Sequence, residues 1–283
     1  MATFTNRATL SYNGNTVNSN TVTGNIIDVL SATKTAVIDT YSANDTITYI
    51  VSVTNSGTIP FTGVTVTDNL GEYTVGGLSL LPLNYTTGSV LYYQNGVLQP
   101  TPVVASENPL IFSGLTVPAG GNIILVYETT TNAYAPLEGG STITNEVIIN
   151  ATGLSTPVTA EETVNVTTEP VLSITKQLAP SNVTENSEIT YTFILQNTGN
   201  TAADATDNVV ITDTFNPILT GISVTVNGIA LAPTSYSYDE TTGVFTINPG
   251  VITVPAASYT QDPVTGEITI TPGVTTVVVT GTI

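Results

Sequence analysis

Two lysines stand out as residues that could do chemistry, because they are the only lysines in the chain and hold the same place in two copies of one repeat. The first copy begins LSATKTAVIDTYSANDTITYIVSVTNSG at Leu30, and the second begins LSITKQLAPSNVTENSEITYTFILQNTG at Leu172. Lys34 and Lys176 each precede a tyrosine by 15 residues and an asparagine by 21 residues. Lysines that keep their register on so polar a chain indicate a role inside the domain.

Strand periodicity predicts which way these lysines point, because alternate residues of a strand share a face. The apolar residues in phase with the lysines are Leu30, Ala32 and Ala36 in the first copy, and Leu172, Ile174 and Leu178 in the second. Both lysines are therefore predicted to face a core. A buried lysine is costly unless it is paired or loses its proton. Each lysine should then have a partner with the same inward phase.

Aspartate and asparagine residues supply partners in that phase. Asp68 alternates with apolar residues in GVTVTDNLG, and Asp213 holds the matching place in NVVITDTFN. Asn145 alternates with Ile143 and Val147 in TITNEVIIN. A lysine, an aspartate and an asparagine are thus predicted to share the core of the first repeat.

Such a trio has the chemistry of a self-forming isopeptide bond. The neutral amine of Lys34 would attack the side-chain carbonyl of Asn145, a protonated Asp68 would polarise that carbonyl and shuttle protons, and ammonia would leave. Burial favours both neutral forms, because it lowers the pKa of a lysine and raises that of an aspartic acid. Two other interpretations stay open: a buried lysine–aspartate ion pair with the asparagine as a hydrogen-bond partner, and aspartates that only form turns at strand ends.

The motifs resemble a known family. An early strand lysine, then ITYTFILQNTGN and VVITDTF, then a closing strand containing N-E-V, are similar to the DUF11 repeat, and the similarity covers nearly the whole chain. The resemblance implies an immunoglobulin-like β-sandwich from a bacterial or archaeal surface protein with a structural role. Similar Gram-positive surface domains carry cross-linking trios, and by position the resemblance assigns that role to Lys34, Asp68 and Asn145.

Composition excludes several classes of function. Three basic residues against 21 acidic ones give a net charge of −18, so we expect neither nucleic acid nor an anionic membrane surface as a partner. With no cysteine and no histidine, disulfides, thiol chemistry and the commonest metal and nucleophile sites are excluded, and we expect no metal and no cofactor. No segment approaches the roughly 18 apolar residues that a membrane span needs.

Short alternating runs rich in Thr, Val and Ile, separated by turn signals such as Asn95-Gly96 and Asn227-Gly228, predict an all-β chain. Residues 29–169 are predicted to form one immunoglobulin-like sandwich and residues 170–283 a second one in tandem. The second repeat lacks the closing hairpin that the first builds from TITNEVIINATG and STPVTAEETVNV. Residues 1–28 supply a matching hairpin, because FTNRATLSYNG aligns with ITNEVIINATG and places Asn6 on Asn145.

Three arrangements of this N-terminal hairpin fit the sequence. It could fold back onto the second domain of its own chain, lie loose, or complete the second domain of a neighbouring subunit by donor-strand complementation. An open sandwich exposes unpaired backbone and an apolar groove, so it needs a partner strand. Fold-back is awkward because the hairpin leads directly into the first domain. A head-to-tail contact need not close, and it would build a homopolymeric filament.

The favoured interpretation is a structural fibre subunit locked by two bonds. Lys34 would join Asn145 within a chain, and Lys176 would join Asn6 of the neighbouring subunit with Asp213 as the promoter. The alternative is an adhesin stalk or ligand-binding module that does not polymerise, with Tyr92, Tyr93, Tyr236 and Tyr238 as its aromatic contacts.

Apart from autocatalytic bond formation, the sequence predicts no enzymatic activity. MATFTNRATL does not read as a signal peptide. Either the chain is a mature fragment of a longer precursor, or it is made without a secretion signal and released by lysis, as spore-surface components are. In both cases we expect an extracellular protein of the cell or spore surface.

Overall fold

The computed structural model describes residues 2–26 and 28–283, and within them every long element is a β-strand. Only two single-turn 3₁₀ helices, Ala205–Asp207 and Pro233–Ser235, interrupt this pattern in the described ranges. The all-β prediction is confirmed. The strands form an N-terminal hairpin and two immunoglobulin-like sandwiches.

The N-terminal hairpin is a long ribbon of two strand pairs. Strand β1 (Ala2–Asn6) pairs with β4 (Val22–Ile26), and β2 (Thr9–Tyr12) pairs with β3 (Asn15–Asn18), all antiparallel. Its tip is the Asn13-Gly14 turn, in which both residues have positive φ. Five of its apolar side chains are more than half exposed: Phe4, Leu10, Tyr12, Val17 and Val22. A ribbon with so little buried surface is only marginally stable alone.

The first sandwich contains fourteen strands. They are β5 (Leu30–Ala36), β6 (Thr40–Tyr41), β7 (Thr46–Asn55), β8 (Phe61–Asp68), β9 (Tyr73–Val75), β10 (Leu78–Leu80), β11 (Leu83–Tyr85), β12 (Leu91–Gln94), β13 (Val97–Leu98), β14 (Val103–Glu107), β15 (Leu110–Val117), β16 (Asn122–Thr131), β17 (Thr142–Asn150) and β18 (Val158–Val166). One sheet has the order β13-β12-β16-β7-β5, with β11 also pairing with β16. The facing sheet has the order β14-β15-β8-β17-β18-β6, and β9 and β10 form a separate pair.

The inward faces of these two sheets form a continuous apolar core. Strand β7 alternates strictly between buried and half-exposed residues, and β16 and β17 follow the same period. Strands β17 and β18 lie opposite β5, so they cover the face that carries Lys34. Residues of β5 in phase with Lys34 are buried or half-buried, whereas the alternate threonines and serine are exposed.

The second sandwich contains ten strands. They are β19 (Leu172–Ala179), β20 (Glu188–Asn197), β21 (Thr212–Thr214), β22 (Thr220–Val226), β23 (Ile229–Ala230), β24 (Tyr236–Tyr238), β25 (Val244–Ile247), β26 (Ser258–Gln261), β27 (Ile268–Thr271) and β28 (Gly273–Thr282). One sheet has the order β19-β20-β28-β22-β23, and the facing sheet has the order β21-β25-β24. A separate core between them includes Phe215, Phe245 and Val279.

The two sandwiches differ at one edge. In the first, β8 pairs with β15 on one side and with β17 on the other. In the second, β21 pairs with β25, and no described strand takes the place of β17 or β18. The lysine strand β19 is therefore uncovered along its whole length. We call this surface the open face; its exposed apolar side chains are Leu172, Ile174, Leu178 and Val210.

Strands β26 and β27 form a hairpin of the second sandwich that packs against the first; we call it the brace. Tyr259 and Ile270 contact the first core. The Gln261 side chain donates to the Tyr73 hydroxyl at 2.9 Å, and the Ile268 N–H donates to the Ala133 carbonyl at 2.8 Å. In the first sandwich the corresponding connection, between β15 and β16, is only the turn at residues 118–121.

Candidate functional site

The predicted trio of the first sandwich meets in its core. Lys34 lies on β5 in one sheet, while Asp68 ends β8 and Asn145 lies on the adjacent strand β17 in the other. Lys34 is 3% exposed, and Asp68 and Asn145 are fully buried. All three side chains are therefore buried, as the strand phase predicted for this domain.

The three side chains converge on one carboxylate oxygen. Lys34 Nζ donates to Asp68 Oδ2 at 2.8 Å, and Asn145 Nδ2 approaches the same oxygen at 3.4 Å. The other oxygen, Oδ1, accepts the Leu70 N–H at 2.7 Å, which fixes the carboxylate in the turn after β8. The Lys34 amine and the Asn145 amide are thus held side by side on one carboxylate oxygen.

Two tyrosine rings surround the trio. The fully buried Tyr127 hydroxyl also donates to Asp68 Oδ2, and Lys34 Nζ lies 4.6 Å from the centre of the Tyr49 ring. Because Tyr127 is buried and close to Asp68, its pKa is raised well above the usual value. Tyr127 therefore stays a neutral hydrogen-bond donor.

Burial makes the Lys34 amine easier to deprotonate. Desolvation lowers its pKa from 10.5 to about 8, although the charge and hydrogen bond of Asp68 act in the opposite direction. A lysine with such a pKa is a usable nucleophile near neutral pH, whereas an exposed lysine is almost entirely protonated. The same contacts also describe a buried ion pair, which would need no reaction.

The matching site of the second sandwich is built from the same strands but is open. Lys176 on β19 forms an ion pair with Asp213 on β21, and their side chains are 40% and 18% exposed. Lys176 Nζ also lies 4.4 Å from the centre of the Tyr191 ring and 5.5 Å from those of Phe193 and Phe215. The prediction that this lysine faces a closed core does not hold for the single chain, because the open face has no covering strands.

Asn6, the predicted third member of the second site, lies elsewhere. It is exposed at the end of β1, opposite Val22 in the ribbon, and it makes no contact with Lys176 in the described chain. Next to it in the ribbon, the Phe4 ring lies over the backbone of Gly24, where an added Cβ would come within 2.4 Å of the ring. A single copy of the chain therefore contains one assembled trio and the separated parts of another.

Two groups at the assembled trio were not predicted from the sequence. Tyr127 lies in NIILVYETTT and was indistinguishable by sequence from any other core aromatic. Its counterpart in the second repeat is Val279, which has no hydroxyl. Gly71 donates its N–H to Asn145 Oδ1 at 3.2 Å and to Asn69 Oδ1 at 2.9 Å. A difference between otherwise matching repeats was the only available signal for Tyr127.

Other candidate features are structural or lie outside any site. Tyr92 is buried, and the Tyr238 hydroxyl is hydrogen-bonded to the backbone of Leu219, so two of the four tyrosines considered for ligand contact are packed in the sheets. Among residues 2–26 and 28–283, no three metal-binding side chains cluster. Those ranges also contain no helix long and apolar enough to cross a membrane.

No protein-family model and no curated protein matches this sequence. Among solved structures, the chain aligns with BcpA, the major pilin subunit of Bacillus cereus, at a TM-score of 0.36 and 14% identity over 96% of this chain and 73% of that one. It aligns with a 35 kDa fragment of the Streptococcus agalactiae major pilin GBS80 at 0.35 and 12%, over 81% and 79%. The collagen-binding subdomain of the Enterococcus faecalis surface protein ACE gives 0.32 and 10%, over 50% and 99%.

TM-scores this low carry no argument about function. The resemblance to the DUF11 repeat stays a prediction.

Proposed function

We propose that this protein is the structural subunit of an extracellular or spore-surface fibre, in which the N-terminal ribbon of one subunit covers the open face of the next. The observation that carries the proposal is the match between the ribbon and the face. The first strands of the ribbon align with β17 and expose their apolar side chains, and the open face exposes the apolar strand that β17 and β18 cover in the first sandwich. Joining the two buries both surfaces and pairs the free edge of β21.

The electrostatics of the two partners support this docking. Between residues 2 and 26 the ribbon carries Arg7 and no acidic residue. Residues 170–283 carry nine acidic residues and one lysine. The ribbon is thus the one cationic segment of a strongly acidic chain, and it attracts rather than repels its acceptor.

In the docked register Asn6 takes the place of Asn145 and lies beside Lys176 and Asp213. The ribbon would exclude water from the second site, as β17 and β18 do from the first. Docking alone would be reversible in denaturant, because hydrophobic and backbone contacts weaken together. A Lys176–Asn6 amide would make the fibre covalent from end to end, and a Lys34–Asn145 amide would lock each subunit internally.

The decisive experiment is denaturing electrophoresis of assembled fibres after boiling in detergent. We expect a ladder of multimers, collapse of the ladder to monomer in Asn6→Ala and Lys176→Ala, and a cross-linked peptide joining the two residues in a digest. Gln177→Ala, one residue along β19 on an exposed position, is the matched control and should keep the ladder. Fibres of the unmodified protein that boil to monomer would refute the covalent joint.

The internal bond is tested separately by intact mass. We expect the Asn6→Ala monomer to be lighter than its sequence mass by one ammonia, and Asp68→Ala to restore the full mass. The bond would close a loop of about 110 residues and, by the chain-entropy argument used for disulfides, stabilise the domain by about 5 kcal/mol. A full sequence mass in the unmodified domain would leave Lys34 as a buried ion-pair partner.

A further inference from the structure

The Asn145 amide is oriented with its oxygen toward the Gly71 N–H and its nitrogen toward the Asp68 carboxylate. A main-chain N–H can only donate a hydrogen bond, so the atom of Asn145 that faces the Gly71 N–H at 3.2 Å must be the carbonyl oxygen Oδ1. The amide nitrogen Nδ2 then faces Asp68 Oδ2. Asp68 therefore lies on the side of the leaving nitrogen and not at the carbonyl oxygen, where the sequence-based mechanism had placed it.

We infer that the main-chain N–H of Gly71 is the oxyanion donor of isopeptide formation in the first sandwich, and that Asp68 acts only as the proton carrier. This inference rests on the proposed function, because it assigns the catalytic groups of the Lys34–Asn145 bond. The Gly71 N–H touches the reacting carbonyl and is held in a dry core, where a fixed dipole stabilises developing charge most strongly.

The steps balance with groups that the site contains. Lys34 gives a proton to Asp68, and its free electron pair forms a bond to Cγ of Asn145 while the carbonyl electrons move to Oδ1, facing Gly71. Asp68 then protonates Nδ2 and accepts a second proton from the attacking nitrogen. When the carbonyl re-forms, the Cγ–Nδ2 bond breaks, ammonia leaves, and Asp68 is left protonated.

The local fold explains why a glycine supplies this group. Gly71 has φ +72°, a left-handed conformation that turns its N–H back toward the core. A Cβ there would lie 2.6 Å from Ile143 Cγ2, so a side chain would displace the Ile143 side chain of β17. In the resting state the N–H is shared, because Asn69 Oδ1 also accepts it at 2.9 Å. Charge growing on Asn145 Oδ1 would draw the shared hydrogen toward that oxygen.

The test replaces the Gly71 amide by an ester through protein semisynthesis of the full chain with Asn6→Ala, which restricts the reaction to the first site. The ester keeps the backbone shape and removes the donor. After refolding, the rate of ammonia loss is followed by intact mass, and we expect it to fall about 100-fold, the usual effect of losing one oxyanion donor. A rate within about threefold of the parent would overturn the inference.

Asn69→Ala is the nearest control, because it removes the other acceptor of the Gly71 N–H and leaves that donor in place. It also removes the acceptor of the Glu146 N–H, which Asn69 Oδ1 receives at 3.0 Å from β17. We expect it to form the bond at close to the parent rate, and a fall as large as that of the ester would assign the effect to the turn. If the ester does not fold, Asn69→Ala still decides the question. Its Gly71 amide should exchange slowly with solvent because Asn145 remains an acceptor, and exchange at the solvent rate would overturn the inference.

A parent chain that loses no ammonia contradicts the proposed bond itself. A parent that reacts while the ester reacts equally fast contradicts only the role of Gly71. The two failures are therefore distinguishable in one experiment.

Discussion

Oδ2 of Asp68 is the atom on which the first site depends. It receives the Lys34 ammonium, the Tyr127 hydroxyl and, at 3.4 Å, the Asn145 amide, all within a fully buried core. Removing one partner of a buried charge pair leaves the other uncompensated, which typically costs about 3–5 kcal/mol. Substitutions of the residues that contact this oxygen should therefore change both the rate of bond formation and the free energy of unfolding. A useful variant changes one of these quantities and leaves the other nearly unchanged.

Tyr127→Phe separates them, because it removes one hydroxyl and keeps the ring in the core. We expect bond formation to slow about tenfold, since a hydrogen bond to a charged group contributes about 1.5–3 kcal/mol and this one holds the carboxylate between amine and amide. The measurement is the rate of mass loss after refolding. Tyr85→Phe is the control: its buried hydroxyl has no hydrogen-bond partner in the described chain, so an equal slowing there would contradict a specific role for Tyr127.

The stability of an unreacted domain should rise with pH. In Asn145→Ala no bond can form, and Lys34 keeps a pKa of about 8 when folded against 10.5 when unfolded. Between these values the unfolded chain binds the extra proton, so the free energy of unfolding increases as pH rises.

We expect a gain on the order of 1 kcal/mol between about pH 7 and 9, measured by urea unfolding. This window lies below the usual tyrosine pKa of about 10, above which the buried Tyr49 and Tyr127, whose pKa values are raised, would lower the stability as pH rises. Adding Lys34→Met should flatten the slope. A stability that falls over this range in Asn145→Ala would show that Lys34 remains charged.

At the scale of elements, strand period correctly predicted which residues of β5, β8 and β17 face the core. A shift of one residue would move every apolar side chain to the solvent face, so the pattern specifies the inward set strongly. It could not predict that β19 is uncovered, because period says which residues share a face and not what lies opposite. It was also silent on the Gly71 N–H, since the direction of a backbone donor in a turn depends on a positive φ that sequence spacing does not encode. The brace had no matching segment in the first repeat and so left no repeat signal.

Deleting residues 2–26 should stop assembly without unfolding either sandwich, because each has its own core. We expect monomers by analytical ultracentrifugation that bind a synthetic peptide of residues 2–26 and gain its mass less one ammonia. The same peptide with Asn6→Ala should bind and be released by denaturant. Filaments of normal length from the deleted chain would contradict donor-strand assembly.

At the scale of the whole molecule, the net charge of the subunits opposes the docking that the matching apolar surfaces favour. Each chain carries a net charge of −18, so subunits repel one another until the ribbon reaches its acceptor. At physiological ionic strength this repulsion is screened beyond about 8 Å, which leaves the short-range contacts unaffected.

Assembly should therefore accelerate with salt. We expect the initial rate of filament growth, followed by light scattering, to rise between roughly 10 and 150 mM NaCl, where the Debye length shortens from about 30 to 8 Å. Slower growth with added salt would mean that the attraction between Arg7 and the acidic second domain outweighs the repulsion between whole subunits. Arg7→Gln should then abolish that inverse dependence.

The brace has a mechanical consequence. It ties the second sandwich to the first through backbone, side-chain and core contacts, and Asn200 adds hydrogen bonds to the carbonyls of Leu137 and Thr167. The opposite pole of the first sandwich, which would meet the preceding subunit, has only the turn at residues 118–121 where the brace would be. In a fibre built from these subunits, the braced joint within each subunit would stay stiff and the unbraced joint between subunits would bend. The curvature of the fibre in micrographs would then have the period of a whole subunit.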